Sequence, residues 1–176
     1  MFIPGIIVSA VTFPGVMVHE FSHLLACKLT KTPVAKVCYF RFGNPAGYVI
    51  HEEQPNPWRN ILIGLGPFIF NSIVSIIIGS IVVITAVHGA FALYDVLLIW
   101  LALSIGMHSF PSVQDAKNIW KNVWKKENGP LPKLIGTPLV GLMFLGSILS
   151  VAWLDLLYGI LTGYFIPEWI FNPGLF

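Results

Sequence analysis

Apolar residues in this chain come in long runs, without the strict alternation or narrow amphipathic stripes of a water-soluble domain. The runs cover residues 4–28, 61–87, 91–110 and 134–160, and the first is interrupted by the polar residues of His19-Glu20-Phe21-Ser22-His23. Crossing a hydrocarbon core of about 30 Å takes roughly 20 helical residues, so each run is predicted as a transmembrane helix, the third only just long enough. Residues 34–50 alternate imperfectly around Gly43-Asn44-Pro45-Ala46-Gly47. This turn signal between β-prone flanks predicts a hairpin at the membrane interface. The expected fold class is an all-α polytopic membrane protein with about four transmembrane helices and a small interfacial β-hairpin after the first. A single membrane-embedded domain is expected over residues 1–176.

Composition strengthens this reading. The chain is 56% hydrophobic and 10% charged, against roughly 45–50% and about 25% in soluble domains. That is too little charge to cover a solvated surface, and no basic stripe suits a nucleic acid. The ten cations are informative by position. Lys28, Lys31, Lys36, Arg41 and Arg59 lie between the first two runs, and Lys117, Lys121, Lys125, Lys126 and Lys133 between the last two. The positive-inside rule then predicts both connecting segments in the cytoplasm and both termini outside. The first run has no positive leading region and extends past a typical signal-peptide core, so cleavage is not expected. Cys27 and Cys38 fall on the predicted cytoplasmic side, where thiols stay reduced.

An ionisable group in a membrane span costs on the order of 2.5–3.5 kcal/mol and calls for a partner or a function. His19 and His23 are spaced i, i+4, on one helix face, where both imidazoles can reach one Zn²⁺. Glu20 follows the first of them and could act as general base toward a water on that metal. A polar helix face that packs against other spans or lines a water cavity is the plainer reading. A catalytic zinc takes a third protein ligand. Depth limits the candidates: Asp95 and Asp155 are expected on or near the outer side. His108 matches the depth of His19 and His23 on a straight helix. Asp115 matches only if Pro111 breaks the helix and folds the chain back. Geometry alone slightly favours His108.

HEFSH in the first span, Gly66-Pro67 with Asn71 in the second, and Pro111 followed by Asp115 in the third together resemble the site-2 protease family of intramembrane zinc metalloproteases. The resemblance covers about residues 10–120. It implies Zn²⁺ held by His19, His23 and Asp115, Glu20 as the catalytic residue, and Asn71 or His108 binding a substrate carbonyl or oxyanion. It also implies hydrolysis of peptide bonds in or near transmembrane segments by a metal-activated water. The site would open to the cytoplasmic side, and the partners would be a membrane-protein or peptide substrate and the lipid bilayer, with no nucleic acid. The hairpin edge could then hold a substrate in extended form. Two spacings depart from the family: Pro111 and Asp115 are four apart instead of five, and Gly66 to Asn71 has one residue more than Gly-Pro-x-x-Asn. The alternatives are a catalytically inactive membrane binding or regulatory relative and a metal-ion transporter.

Other features carry plainer expectations. Cys27, one more i+4 step along the histidine face, should pack as a small hydrophobe. His51-Glu52-Glu53 reads as a solvated loop or a polar cluster at the site's mouth. Gly159 and Gly163 fit a helix-contact spacing, and Trp120 and Trp124 among lysines read as an interfacial belt.

Overall fold

A computed structural model of the chain describes residues 5–172. The expected start of the first span at residue 4 and the two termini, with their sidedness, lie outside the described residues. Helices α1 (Gly5–Val11) and α2 (Phe13–Leu29) meet at Thr12 with a bend of 87°. Pro14 causes the break, since it has no N–H to offer Ala10 and its ring clashes with that carbonyl. The Thr12 hydroxyl donates instead to the Val8 carbonyl at 2.7 Å. The first apolar run is therefore a bent pair, and α2 carries the polar residues.

Strands β1 (Val34–Cys38) and β2 (Tyr48–His51) form the expected antiparallel hairpin, with Val37 opposite Val49 and Cys38 opposite Tyr48. Helix α3 (Pro57–Val87) starts at Asn56, whose side chain accepts from Trp58 N at 2.9 Å, and it contains Pro67. Helices α4 (Leu93–Met107), α5 (Val113–Val123) and α6 (Pro130–Leu149) follow. After α6 come a 3₁₀ turn at Ser150–Ala152, α7 (Leu154–Ile160), a π-helical turn at Leu161–Phe165 and α8 (Ile166–Phe171).

Among the described residues α3 and α6 are each long and apolar enough to cross a membrane, and the bent α1–α2 pair makes a third if it counts as one span. Two further expected spans are shorter or broken. Helix α4 has 15 residues, roughly 22 Å, and stops where Pro111 cannot donate to Met107. The run expected to reach residue 160 breaks at the 3₁₀ turn, and Trp153 adopts a left-handed backbone (φ 66°) before α7 begins.

The side-chain distribution on α3 is inverted relative to a soluble helix. Ile69, Ile73, Ile77 and Ile81 are exposed, while Asn71, Ser75 and Gly79 are buried. Small residues on buried faces let helices approach closely in an apolar solvent. Gly15 of α2 abuts the Ser104 backbone of α4, and its N–H donates to Ser104 Oγ at 2.9 Å. Gly79 meets Gly163, and Gly159 packs on Leu103 and Met107. The Gly159–Gly163 pair thus works within the chain, fixing α7 and the π turn against α3 and α4. Helix α5 lies between α3 and α6 through Ile61, Ala116, Ile119, Val123, Val140 and Met143. Outside the helices, Lys125 pairs with Glu53 at 2.8 Å. That contact holds the exposed Glu53 carboxyl below the usual range, aided by Lys121.

Candidate metal centre

His19 and His23 lie on the same face of α2, and their rings meet edge to face with centroids 4.8 Å apart. Each ring is held from behind by a backbone carbonyl. His19 Nδ1–H donates to His108 O at 2.7 Å, and His23 Nδ1–H donates to Ile63 O at 2.9 Å. Since a carbonyl can only accept, Nδ1 carries the proton in both neutral rings and each Nε2 presents a lone pair.

Both carbonyls are free for a reason written in the sequence. In a helix, Ile63 O would accept from the N–H of residue 67, but residue 67 is proline. His108 caps the C-terminus of α4, where Pro111 ends the helix and leaves carbonyls without helical partners. Two prolines therefore expose the acceptors that orient the two imidazoles.

Asp115 joins them from α5. Ser112 caps that helix, its Oγ accepting from Asp115 N at 3.2 Å, while Asp115 Oδ2 accepts from Ser112 N at 2.8 Å and from its hydroxyl at 2.6 Å. This capping box ties down one carboxylate oxygen. The other, Oδ1, lies 3.5 Å from His23 Nε2, and His23 Nε2 lies 3.2 Å from His19 Nε2. The three ligand atoms lie within 4.8 Å of one another.

These atoms fit zinc. A tetrahedral ion with ligands at about 2.0–2.1 Å has ligand–ligand edges of about 3.3 Å, close to both short separations. With both Nε2 atoms unprotonated, the three face one another as acceptors with no donor among them. Either a proton on His23 or a cation must relieve that, and a His₂-carboxylate set is a zinc donor set.

Glu20 is buried and makes no hydrogen bond among the described residues, yet it lines a cavity of about 430 Å³ together with His19, His23 and Asp115. The hairpin closes over it: a Cβ at Gly47 would sit 2.6 Å from Glu20 Cγ and 2.9 Å from Oε1.

A family model for DUF3267, described as "Putative zincin peptidase", matches residues 12–110. The chain belongs to the DUF3267 family. No curated protein and no solved structure matches it. The DUF3267 match takes in α2, the hairpin, α3 and α4, and so contains the HExxH helix and both orienting carbonyls. It stops five residues before Asp115. Membership indicates a zinc metallopeptidase, which agrees with the donor set.

The remaining expected site residues sit differently. Asn71 does not line the cavity. It is fully buried, its Nδ2 donating to His108 O at 3.0 Å and its Oδ1 lying 2.7 Å from Ser22 Oγ. Its second N–H reaches Ile105 O at 3.4 Å, so Asn71 braces the carbonyl that holds His19 and has no donor left for substrate. His108 does line the cavity, but its Nδ1–H donates to Ser104 O at 3.0 Å, so the neutral ring offers an acceptor and cannot polarise a carbonyl. Cys27 is fully buried with Ala26 and Ile63, as a hydrophobe. His51 lines the cavity from β2.

Three contributors were not drawn from the sequence. Ser112 was detectable, because Ser112-Val113-Gln114-Asp115 is a capping-box pattern. The Ile63 carbonyl was detectable only once His23 was known to face α3. Asp155, expected on or near the outer side, lines the same cavity as Glu20, and it follows the break and turn of the last apolar run at Ser150–Trp153.

Proposed function

We propose that this DUF3267 protein is an intramembrane zinc endopeptidase of the site-2 protease type, cutting membrane-protein or peptide substrates in or near their transmembrane segments. The observation that carries the reading is Glu20, an unbonded carboxylate on the wall of a cavity that also presents His19, His23 and Asp115, within helices whose large apolar side chains face outward. A structural metal site has no use for such a group.

His19, His23 and Asp115 would hold zinc, which when bound supplies Lewis acidity to a water nucleophile and to a carbonyl oxygen. Glu20 takes the proton of the attacking water on its free carboxylate and delivers it to the leaving amine. The Ile63 and His108 carbonyls keep both histidines in the ligating tautomer throughout. Gly47 and the hairpin restrict one side of the cavity, and the strand edges offer main-chain partners to an extended substrate, which a helix could not present.

By the distribution of lysines and arginines, the hairpin and α5 face the cytoplasm and the site opens there. The chain forms one membrane-embedded unit in which α2, α3, α4 and α6 make the passage, and the lipid bilayer is its solvent.

The test compares wild type with Glu20→Gln, purified in detergent, for zinc content and for cleavage of transmembrane peptides. Both should contain one zinc, and cleavage should fall by at least about 100-fold in the variant. Equal cleavage by the two proteins would remove Glu20 from the reaction.

A further inference from the structure

Beyond the metal, the cavity contains a second polar group made from the break between α6 and α7. Asp155, Ser147, Ser150 and His108 all line it. Their hydrogen bonding leaves only acceptors to offer. The Ser147 and Ser150 hydroxyls each donate at 3.0 Å to helix carbonyls, those of Met143 and Gly146. His108 Nδ1–H is committed to Ser104 O, leaving the Nε2 lone pair. Asp155 Oδ1 accepts from Leu156 N at 2.9 Å, while Oδ2 has no hydrogen-bond partner among the described residues. No lysine or arginine lines the cavity, and neither of the chain's ion pairs among the described residues involves Asp155.

A half-buried carboxylate among apolar helices is costly unless it takes up a proton or is visited by something of opposite charge. The visitor must donate hydrogen bonds and carry positive charge. A second metal ion is disfavoured, because the His19–His23–Asp115 group is the one set of three metal-ligating side chains gathered among the described residues.

We propose that Asp155, backed by Ser147, Ser150 and His108, is a substrate subsite for a cationic N–H donor: a lysine or arginine side chain flanking the scissile bond, or the substrate's free α-ammonium. The cavity joins this subsite to Glu20, so one substrate can occupy both. The inference rests on the peptidase reading for its substrate class, while its binding can be measured without turnover.

The experiment uses the full chain in detergent, in the Glu20→Gln background so that peptides remain intact. Four fluorescent transmembrane peptides are compared by anisotropy: one lysine near the expected cut or norleucine in its place, each with a free or an acetylated N-terminus. The lysine peptide should bind about tenfold more tightly than its norleucine counterpart, the scale of one charge-assisted hydrogen bond. Adding Asp155→Asn should reduce that ratio to near one, and Asp155→Glu should restore much of it, with zinc content as the check on folding. If tighter binding instead follows the free N-terminus, whether lysine or norleucine is present, the donor is the α-ammonium. A ratio unchanged by Asp155→Asn, or no preference for either cation, overturns the subsite. Absence of cleavage by zinc-loaded wild type would count against the peptidase reading alone, since the binding ratio does not depend on it.

Discussion

His23 Nδ1 donates to the carbonyl of Ile63 at 2.9 Å, a carbonyl left without its helical donor because residue 67 is proline. A proline inside an apolar helix costs about 3 kcal/mol or more as a helix breaker. Here it sits fully buried in α3, and the acceptor it frees orients one of the proposed zinc ligands. Pro67→Ala restores an N–H that competes for Ile63 O. The expected result is a folded protein with zinc affinity lowered by about 10–100-fold, the usual effect of losing a partner to a ligating histidine. Competition against a calibrated chelator measures it, and unchanged affinity would show that α2 packing alone orients His23.

The choice of third ligand is open to a direct comparison. Asp115→Ala should lose stoichiometric zinc, whereas His108→Ala should keep it, because His108 contributes its backbone carbonyl to His19 and that carbonyl survives the substitution. Metal analysis of the purified variants decides this. The reverse result would move the ligand to His108.

Ser112→Ala removes the hydroxyl that both caps α5 and holds Asp115 Oδ2. About 1 kcal/mol of stability should be lost with the cap. Zinc affinity should fall with it, by less than in Asp115→Ala. Thermal unfolding with and without added zinc separates the two effects: a variant that unfolds earlier but binds zinc normally would limit Ser112 to capping.

Gly47→Val places side-chain atoms on Glu20, since even a Cβ would lie 2.6 Å from its Cγ. Zinc should be retained, because none of the three ligand side chains is touched. Cleavage should drop by at least about tenfold, as expected when a general base is moved from its position. Parallel loss of zinc would mean that the hairpin shapes the ligand set as well.

Asn71→Leu leaves the His108 carbonyl with one donor instead of two and deprives Ser22 of an acceptor, at a site with no exposure. Destabilisation of roughly 1–3 kcal/mol is expected, with lower zinc affinity following from a looser His19. Denaturant unfolding in detergent provides the check. A direct oxyanion role would instead reduce cleavage with stability and zinc both unchanged.

The HExxH spacing, the apolar runs and the hairpin turn were legible because each depends on local periodicity. Positions 19 and 23 share a face of any helix, and Gly-Asn-Pro-Ala-Gly turns the chain in any context. Asn71 and His108 were harder to place. The sequence carries their donors and acceptors but not the partners that use them up: the Asn71 side chain and the His108 Nδ1–H are committed within the protein. That Asp155 lines the cavity was missed for a related reason. Hydropathy continues smoothly through residues 150–153, while the backbone does not.

By itself, then, the sequence determined an apolar helical protein with one ionisable cluster worth the cost of placing it there, and the likeness of its motifs to a known family suggested Asp115 as the third member. Tertiary structure decided what holds that cluster. Pro67 and Pro111 each free a main-chain carbonyl, but only the crossing of α2 with α3 and with the end of α4 brings His23 and His19 within hydrogen-bond distance of them. Helix spacing fixes which residues share a face. Which carbonyl that face meets is set by packing between segments 40 and 89 residues apart in the chain, and no local pattern encodes it.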